Sequence, residues 1–220
     1  MSYQIAIDGP AGAGKSTVAK AVAEKLGFIY VDTGAMYRAM ALYLLRQHID
    51  AADTEKISEA SRHADITISY VDGAQQVLLD GENVTNLLRA EEVGNMASAS
   101  SVNPDVRKKL VELQQKLAAR ENVVMDGRDI GTCVLPGADV KVYLTASTAC
   151  RAKRRYDELS AKGKECSLEA VEADIRERDE RDMTREVSPL RQAEDAVLVD
   201  SSNMTVEEVI DKIISLVPKS

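Results

Sequence analysis

Tryptophan is absent from this 220-residue chain, phenylalanine occurs once, and cysteine three times. With so few large aromatics, a platform for stacking nucleic-acid bases would have to come from the seven tyrosines, and none of these forms an obvious stacking pair. Cys133, Cys150 and Cys166 are odd in number and lack C-x-x-C spacing, which argues against a disulfide framework or a zinc site and for a reducing compartment. A basic excess is also missing. The formal net charge of -8 argues against a general nucleic-acid binder, so any phosphate ligand must be held by locally placed arginines. No apolar run approaches the roughly 18 residues of a membrane span. The opening MSYQIAIDG enters an apolar segment without the basic, apolar, small-residue order of a signal peptide. A cytoplasmic protein with no membrane or nucleic-acid partner is expected. There is no N-K-x-D guanine-recognition motif, internal repeat or low-complexity segment.

What is present is a complete G-x-x-x-x-G-K-[ST] phosphate loop, Gly9-Pro10-Ala11-Gly12-Ala13-Gly14-Lys15-Ser16, after the apolar run Ile5-Ala6-Ile7-Asp8. The glycines let several N–H groups point into one anion hole, Lys15 reaches the outer phosphates, and Ser16 offers a hydroxyl to Mg²⁺. Val18, Val22 and Leu26 follow at helical spacing, so the loop ends on a helix N-terminus, whose partial positive charge suits phosphate. The competing reading is a glycine-rich turn with Lys15 in solvent. The motif points to a nucleoside triphosphate and leaves the second substrate open.

At 45% hydrophobic content the chain can bury the core of one α/β domain with a small insertion. Strand-like runs at Gln4 to Asp8, Phe28 to Asp32, Val123 to Asp126, Val140 to Thr145 and Ala196 to Asp200 alternate with helical patterns, which predicts a parallel sheet covered by helices. Several end in Asp and a turn, at the strand ends where such sheets place ligands. The alternation breaks at Ile66, Ile68 and Tyr70, which with Asp72-Gly73, Val77, Leu79 and Asp80-Gly81 read as an antiparallel meander. Helices are then expected across Ala90 to Ser101 and after Asn103-Pro104, the latter burying Val106, Leu110, Leu113 and Leu117. The expected organisation is a core of residues 1–61 and 103–220 with a subdomain at 62–102. Within the core, a polar helical hairpin at about 150–168, with Ser167 capping its second helix, is either a mobile lid or a solvated helix pair. A last helix carries Val206, Val209, Ile210, Ile213 and Ile214 as its buried stripe.

Three charged clusters bear on chemistry. Phosphoryl transfer is catalysed mainly by positioning and electrostatics, so a phosphorylated acceptor demands several arginines. Arg178, Arg181, Asp182 and Arg185 fall on one helical face by spacing, a candidate anion site or a salt-bridged exposed helix. Asp126-Gly127-Arg128-Asp129 ends a strand; Arg128 could clamp a phosphate and the carboxylates serve a metal shell, a hydroxyl or a base amino group, unless the cluster is a structural turn. Asp32-Thr33-Gly34-Ala35-Met36-Tyr37-Arg38 places Thr33 as a helix cap and Arg38 on the second turn, with Met36, Met40 and Leu44 as core.

In order, IDGPAGAGKS, DTGAMYR, the meander, DGRDIGT and RERDERDMTREVSPL resemble the bacterial cytidylate kinase family over essentially the whole chain. The resemblance implies a P-loop nucleoside monophosphate kinase core with a five-stranded parallel sheet flanked by helices. The subdomain at 62–102 would be its antiparallel-β plus helix NMP-binding insertion, and the hairpin its short helical lid. ATP with Mg²⁺ would phosphorylate CMP and dCMP, in a monomer. Gly9 to Thr17 would hold the ATP phosphates and Mg²⁺, with the metal-binding hydroxyl supplied by Ser16 or Thr17. Lys15, Arg128, Arg181 and Arg185 would be catalytic, and Arg38, Arg128 and Arg185 would surround the acceptor phosphate. Ser98, Arg107 and Asp129 would face cytosine, Arg178 and Asp182 the sugar, and Thr33 and Asp126 would line the acceptor site. Thr33 departs from the serine common in relatives, and Arg151, Arg154 and Arg155 are lid candidates for the ATP side.

Overall fold

Short apolar runs ending in Asp form the strands, and capping side chains fix where the helices begin. The computed structural model describes residues 2–218. In chain order its elements are β1 (Gln4–Asp8), α1 (Lys15–Leu26), β2 (Ile29–Asp32), α2 (Thr33–Arg46), α3 (Thr54–His63), β3 (Ile66–Val71), β4 (Ala74–Leu79) and β5 (Glu82–Asn83). They continue with α4 (Glu91–Ser100), α5 (Pro104–Ala118), β6 (Val123–Gly127), a π-helical turn (Ile130–Val134), β7 (Val140–Thr145), α6 (Thr148–Ala161), α7 (Leu168–Thr184), β8 (Val197–Asp200) and α8 (Val206–Ile214). The large sheet has five strands in the order β2-β6-β1-β7-β8, and the small one has the order β3-β4-β5. The α/β architecture expected from the alternating pattern is therefore observed.

The chain divides into two compact units. One comprises Tyr3–Phe28 and the chain from Val123 onward. In it, β1 pairs in parallel with β6 (Ile5 opposite Val124) and with β7 (Ile5 opposite Val140), and β7 pairs in parallel with β8. Ile5, Ala6, Ile7, Val123, Val124 and Met125 are fully buried, which is why these strands read as continuous apolar runs. Parallel register brings Asp8 opposite Gly127, so the phosphate loop and the DGRD turn leave the sheet at the same end.

The other unit is Ile29–Asn122 with Ser2. The antiparallel meander is present, with Ile68 opposite Val77 and Leu79 opposite Glu82. Its β4 is stitched to the end of β2: Asp32 N–H donates to Gln75 Oε1 (2.8 Å), and Gln75 Nε2 donates to the Asp32 carbonyl (3.2 Å).

Several caps match the sequence pattern. Asn103 accepts from Asp105 and Val106 N–H ahead of Pro104, and Ser167 accepts from Ala170 N–H. Three local expectations are corrected. The cap of α2 is Asp32, whose carboxylate accepts from Ala35 N–H, and Thr33 is already inside the helix. On α5, Gln114 and Ala118 are buried where Leu113 and Leu117 are only half-buried, so the inward face is rotated from the leucine stripe. On α8, Val209, Ile210 and Ile213 form the inner face, whereas Val206, at the first helical position, is 52% exposed and Ile214 half-buried.

Candidate active site

In the unit containing the phosphate loop, β1 delivers the chain into Gly9, and α1 begins at Lys15 with Gly14 as a left-handed cap (φ 87°). Pro10, Ala11 and Ala13 are buried, Gly12 is exposed, and Ser16 and Thr17 stand exposed on the first turn of α1. No side chain caps this helix start, so its N–H groups are left for an anionic ligand. Lys15 is buried and its Nζ donates to the Pro10 carbonyl at 2.7 Å. Burial, then the Arg128 charge, push its amine down from 10.5 to about 7, against the pull of Asp126, Asp8 and Asp182. An anion beside it restores the charged form.

Ser16 Oγ donates to Asp126 Oδ2 at 2.9 Å, with Asp126 buried at the end of β6. These are hard oxygen donors of the kind Mg²⁺ takes in P-loop enzymes. Among the described residues no group of three or more His, Cys, Asp or Glu could hold a metal. That does not count against Mg²⁺, which keeps several waters and uses one or two protein oxygens with substrate phosphates. The pair fits the ion.

Beyond Gly127, Arg128 Nε donates to Asp182 Oδ2 at 2.7 Å, joining the DGRD turn to α7. Asp129 is buried, with Arg185 Nη2 at 3.6 Å from its Oδ1. The expected single face of α7 is only partly realised. The helix ends at Thr184, and Arg185 leaves it in an extended conformation (ψ 140°), its Nε donating to the Ser188 carbonyl at 2.7 Å. Asp182 is buried and bonded to Arg128, Arg178 is exposed, and Arg181 forms an ion pair with Glu177 at 2.5 Å on the surface.

Asp8 was not singled out by motif, yet it fixes the DGRD turn. Its two carboxylate oxygens accept Ile130 and Gly131 N–H, each at 2.7 Å. Burial outweighs those bonds and raises its carboxyl from 3.8 to about 6. The Asp-Gly strand end was the available signal. Of the three lid candidates for the ATP side, Arg151 is buried and donates to the Ala146 carbonyl and to that of Ala11 in the phosphate loop, Arg155 pairs with Glu158, and Arg154 donates to Ser201.

In the other unit, Thr33 is buried at the start of α2, and Arg38 is half-buried one turn on. Gly34 keeps this turn open, because a Cβ there would stand 3.4 Å from Arg38 Nη1 and 3.2 Å from Asp32 Oδ1. Ser98 is half-buried on α4. Arg107 is 4% exposed on α5, donates to the Ser101 carbonyl at 3.4 Å, and lies 5.7 Å from the centre of the Tyr37 ring. A buried guanidinium over an aromatic face is a rigid planar donor set. Tyr37 was legible only as part of its motif.

A phosphate loop, an oxygen pair suited to Mg²⁺, arginine–carboxylate pairs and a buried planar donor are the parts of a phosphotransferase. The sequence matches the family model described as cytidylate kinase over residues 5–219. A cytidylate kinase of Caldicellulosiruptor saccharolyticus is 53% identical over 212 residues, covering 96% of this chain and 94% of that protein. The chain belongs to the cytidylate kinase family. Another family member, the cytidylate kinase of Bacillus subtilis (strain 168), is 48% identical over 213 residues, covering 97% and 95%. In fold alone, the chain is similar to the crystal structure of an uncharacterized protein from Eubacterium ventriosum, with TM-score 0.53, 14% identity and 97% of each chain covered. Family membership makes the chain a nucleoside monophosphate kinase.

Proposed function

We propose that the chain transfers the γ-phosphoryl group of ATP to CMP and dCMP, giving CDP and dCDP. The observation that carries this reading is family membership over nearly the full length, joined to a phosphate loop whose Ser16 hydroxyl lies 2.9 Å from Asp126. Gly9 to Thr17 hold the triphosphate through backbone N–H groups, and Lys15, recharged by the phosphates, reaches their outer oxygens. Ser16 and Asp126 would hold Mg²⁺, which when bound would supply positive charge against the phosphate oxygens.

Arg38, Arg128 and Arg185 hold the acceptor phosphate and stabilise charge as the bond to the leaving ADP breaks. Arg181 joins them by exchanging Glu177 for phosphate, an exchange that costs little because exposed ion pairs are weak. Arg178 and Asp182 bind the sugar, and Thr33 lies in the acceptor pocket. Ser98, Arg107 and Asp129 read cytosine, whose N4 amino group donates and whose N3 and O2 accept. Uracil reverses the pattern at two positions and leaves buried partners unpaired, at about 1–3 kcal/mol each. The chain acts as a cytoplasmic monomer on small molecules, without nucleic acid or membrane. The insertion at 62–102 serves the NMP side, and the helical hairpin at about 150–168 is the lid.

The test is product analysis after incubation with Mg-ATP and CMP, dCMP, UMP, AMP, GMP or shikimate. CDP and dCDP are expected to dominate. Equal turnover of UMP would remove the cytosine-reading roles of Asp129 and Arg107.

A further inference from the structure

Arg151 is 4% exposed, near the start of α6, and every nitrogen of its guanidinium is engaged. Nε donates to the Ala146 carbonyl at 2.9 Å, and Nη2 donates to Thr148 Oγ1 at 3.1 Å. Nη1 donates to the carbonyl of Ala11, inside the phosphate loop, at 2.9 Å. The same nitrogen lies 2.6 Å from Asp179 Oδ2 on α7, where Asp179 is 6% exposed. The other carboxylate oxygen, Oδ1, has no hydrogen-bond partner among the described residues, and Arg151 is the cation paired with this buried charge. The stem of Arg151 also packs on the loop: a Cβ on Gly12 would meet its Cβ at 3.3 Å.

We propose that Arg151 is a positioning residue for the phosphate loop, held in its orientation by Asp179 of α7. A loop built to present N–H groups to phosphate turns carbonyls such as that of Ala11 the other way, and those carbonyls need a fixed donor behind them. Arg151 supplies that donor from a rigid, fully bonded fork. Asp179 couples it to the helix that one turn later carries Asp182, the partner of Arg128. An apolar seam of Ala152, Val171 and Ile175, with Leu159 and Cys166 against it, holds α6 to α7 around the ion pair. Arg151 therefore works behind the loop and touches no substrate. The inference rests on reading Gly9 to Thr17 as the triphosphate site.

The test measures Mg-ATP binding and CMP binding separately, by calorimetry, in the wild-type chain and in Arg151→Met, Asp179→Asn and the double variant Arg151→Met/Asp179→Leu. Arg151→Met is expected to weaken Mg-ATP binding roughly tenfold or more, as a displaced cradle loses aligned contacts, with CMP binding unchanged. That single variant strands a buried carboxylate and is expected to lose stability; the double variant removes both charges and restores it. It should regain wild-type thermal stability while Mg-ATP binding stays weak, a separation that a purely structural ion pair would not produce. Asp179→Asn keeps shape and an acceptor and should show a smaller weakening of Mg-ATP alone. Wild-type Mg-ATP affinity in the double variant, or equal weakening of ATP and CMP in Asp179→Asn, overturns the positioning role. A wild-type chain that fails to bind Mg-ATP instead overturns the reading of the loop on which this depends.

Discussion

Gly9→Ala is expected to be far more damaging than Gly14→Ala, although both glycines belong to one motif and both have positive φ, 152° and 87°. At Gly14 a Cβ would meet nothing within 4 Å, so alanine adds only the left-handed backbone cost, about 1–2 kcal/mol. At Gly9 a Cβ would overlap the carbonyl oxygen of Leu144 and stand 3.0 Å from its carbon. Those are main-chain atoms of β7, in the middle of a parallel ladder, and no side-chain rotation relieves them. Either the loop or the strand must shift by about an ångström. Adding an overpacking cost of about 1–3 kcal/mol to the backbone cost gives about 2–5 kcal/mol of lost stability. The same shift misplaces the N–H groups that hold phosphate, which lowers kcat/KM for ATP by about a hundredfold. Urea unfolding and steady-state kinetics on the two variants measure both quantities. If Gly9→Ala unfolds within 1 kcal/mol of Gly14→Ala and keeps its activity, the close approach of loop and β7 is not what the glycine serves.

Arg128→Ala and Arg185→Ala should each cut turnover by at least ~100-fold in a coupled ADP assay; near-wild-type turnover in both would remove them from the acceptor site. Asp126→Asn should raise the Mg²⁺ concentration for half-maximal activity by about 10–100-fold, since it removes a charged oxygen 2.9 Å from Ser16 Oγ; an unchanged metal titration would count against that pair as the Mg²⁺ site. Asp8 gives a pH prediction. Its carboxyl is raised to about 6 from 3.8, so between these values the folded chain binds more protons than the unfolded one. Stability contributed through Asp8 therefore falls as pH rises through that window, by about 3 kcal/mol in all. The stability of the wild type minus that of Asp8→Asn, taken from urea unfolding across the window, should fall accordingly, and a rise would contradict it.

Much of this was legible because local chemistry and global topology agree. The phosphate loop, its strand and its helix follow from glycine spacing and apolar period, and Asn103-Pro104 and Ser167 start helices where their capping chemistry says. The Asp-Gly ends of β1 and β6 lie opposite each other, at the same end of the sheet. Long-range pairing was not legible. Nothing in the spacing of Arg151 and Asp179 says that they meet, or that Arg151 turns inward to the Ala11 carbonyl, because a charged helical stretch reads as solvated until its neighbours are known. Likewise the repeat from Arg178 to Arg185 predicts a continuous face, and only the C-terminal end of α7 at Thr184 frees Arg185 to approach Asp129. Thr33 yielded the cap to Asp32 because the carboxylate one residue earlier reaches Ala35 N–H.

The central claim is that the triphosphate grip delivers phosphate to a cytosine nucleotide and not to water. Following Mg-ATP and CMP by phosphorus NMR in the presence of the chain tests it directly. CDP should appear in step with ADP, without inorganic phosphate, and the reaction should stop when CMP is omitted. Inorganic phosphate accumulating with ADP whether or not CMP is present would contradict the account.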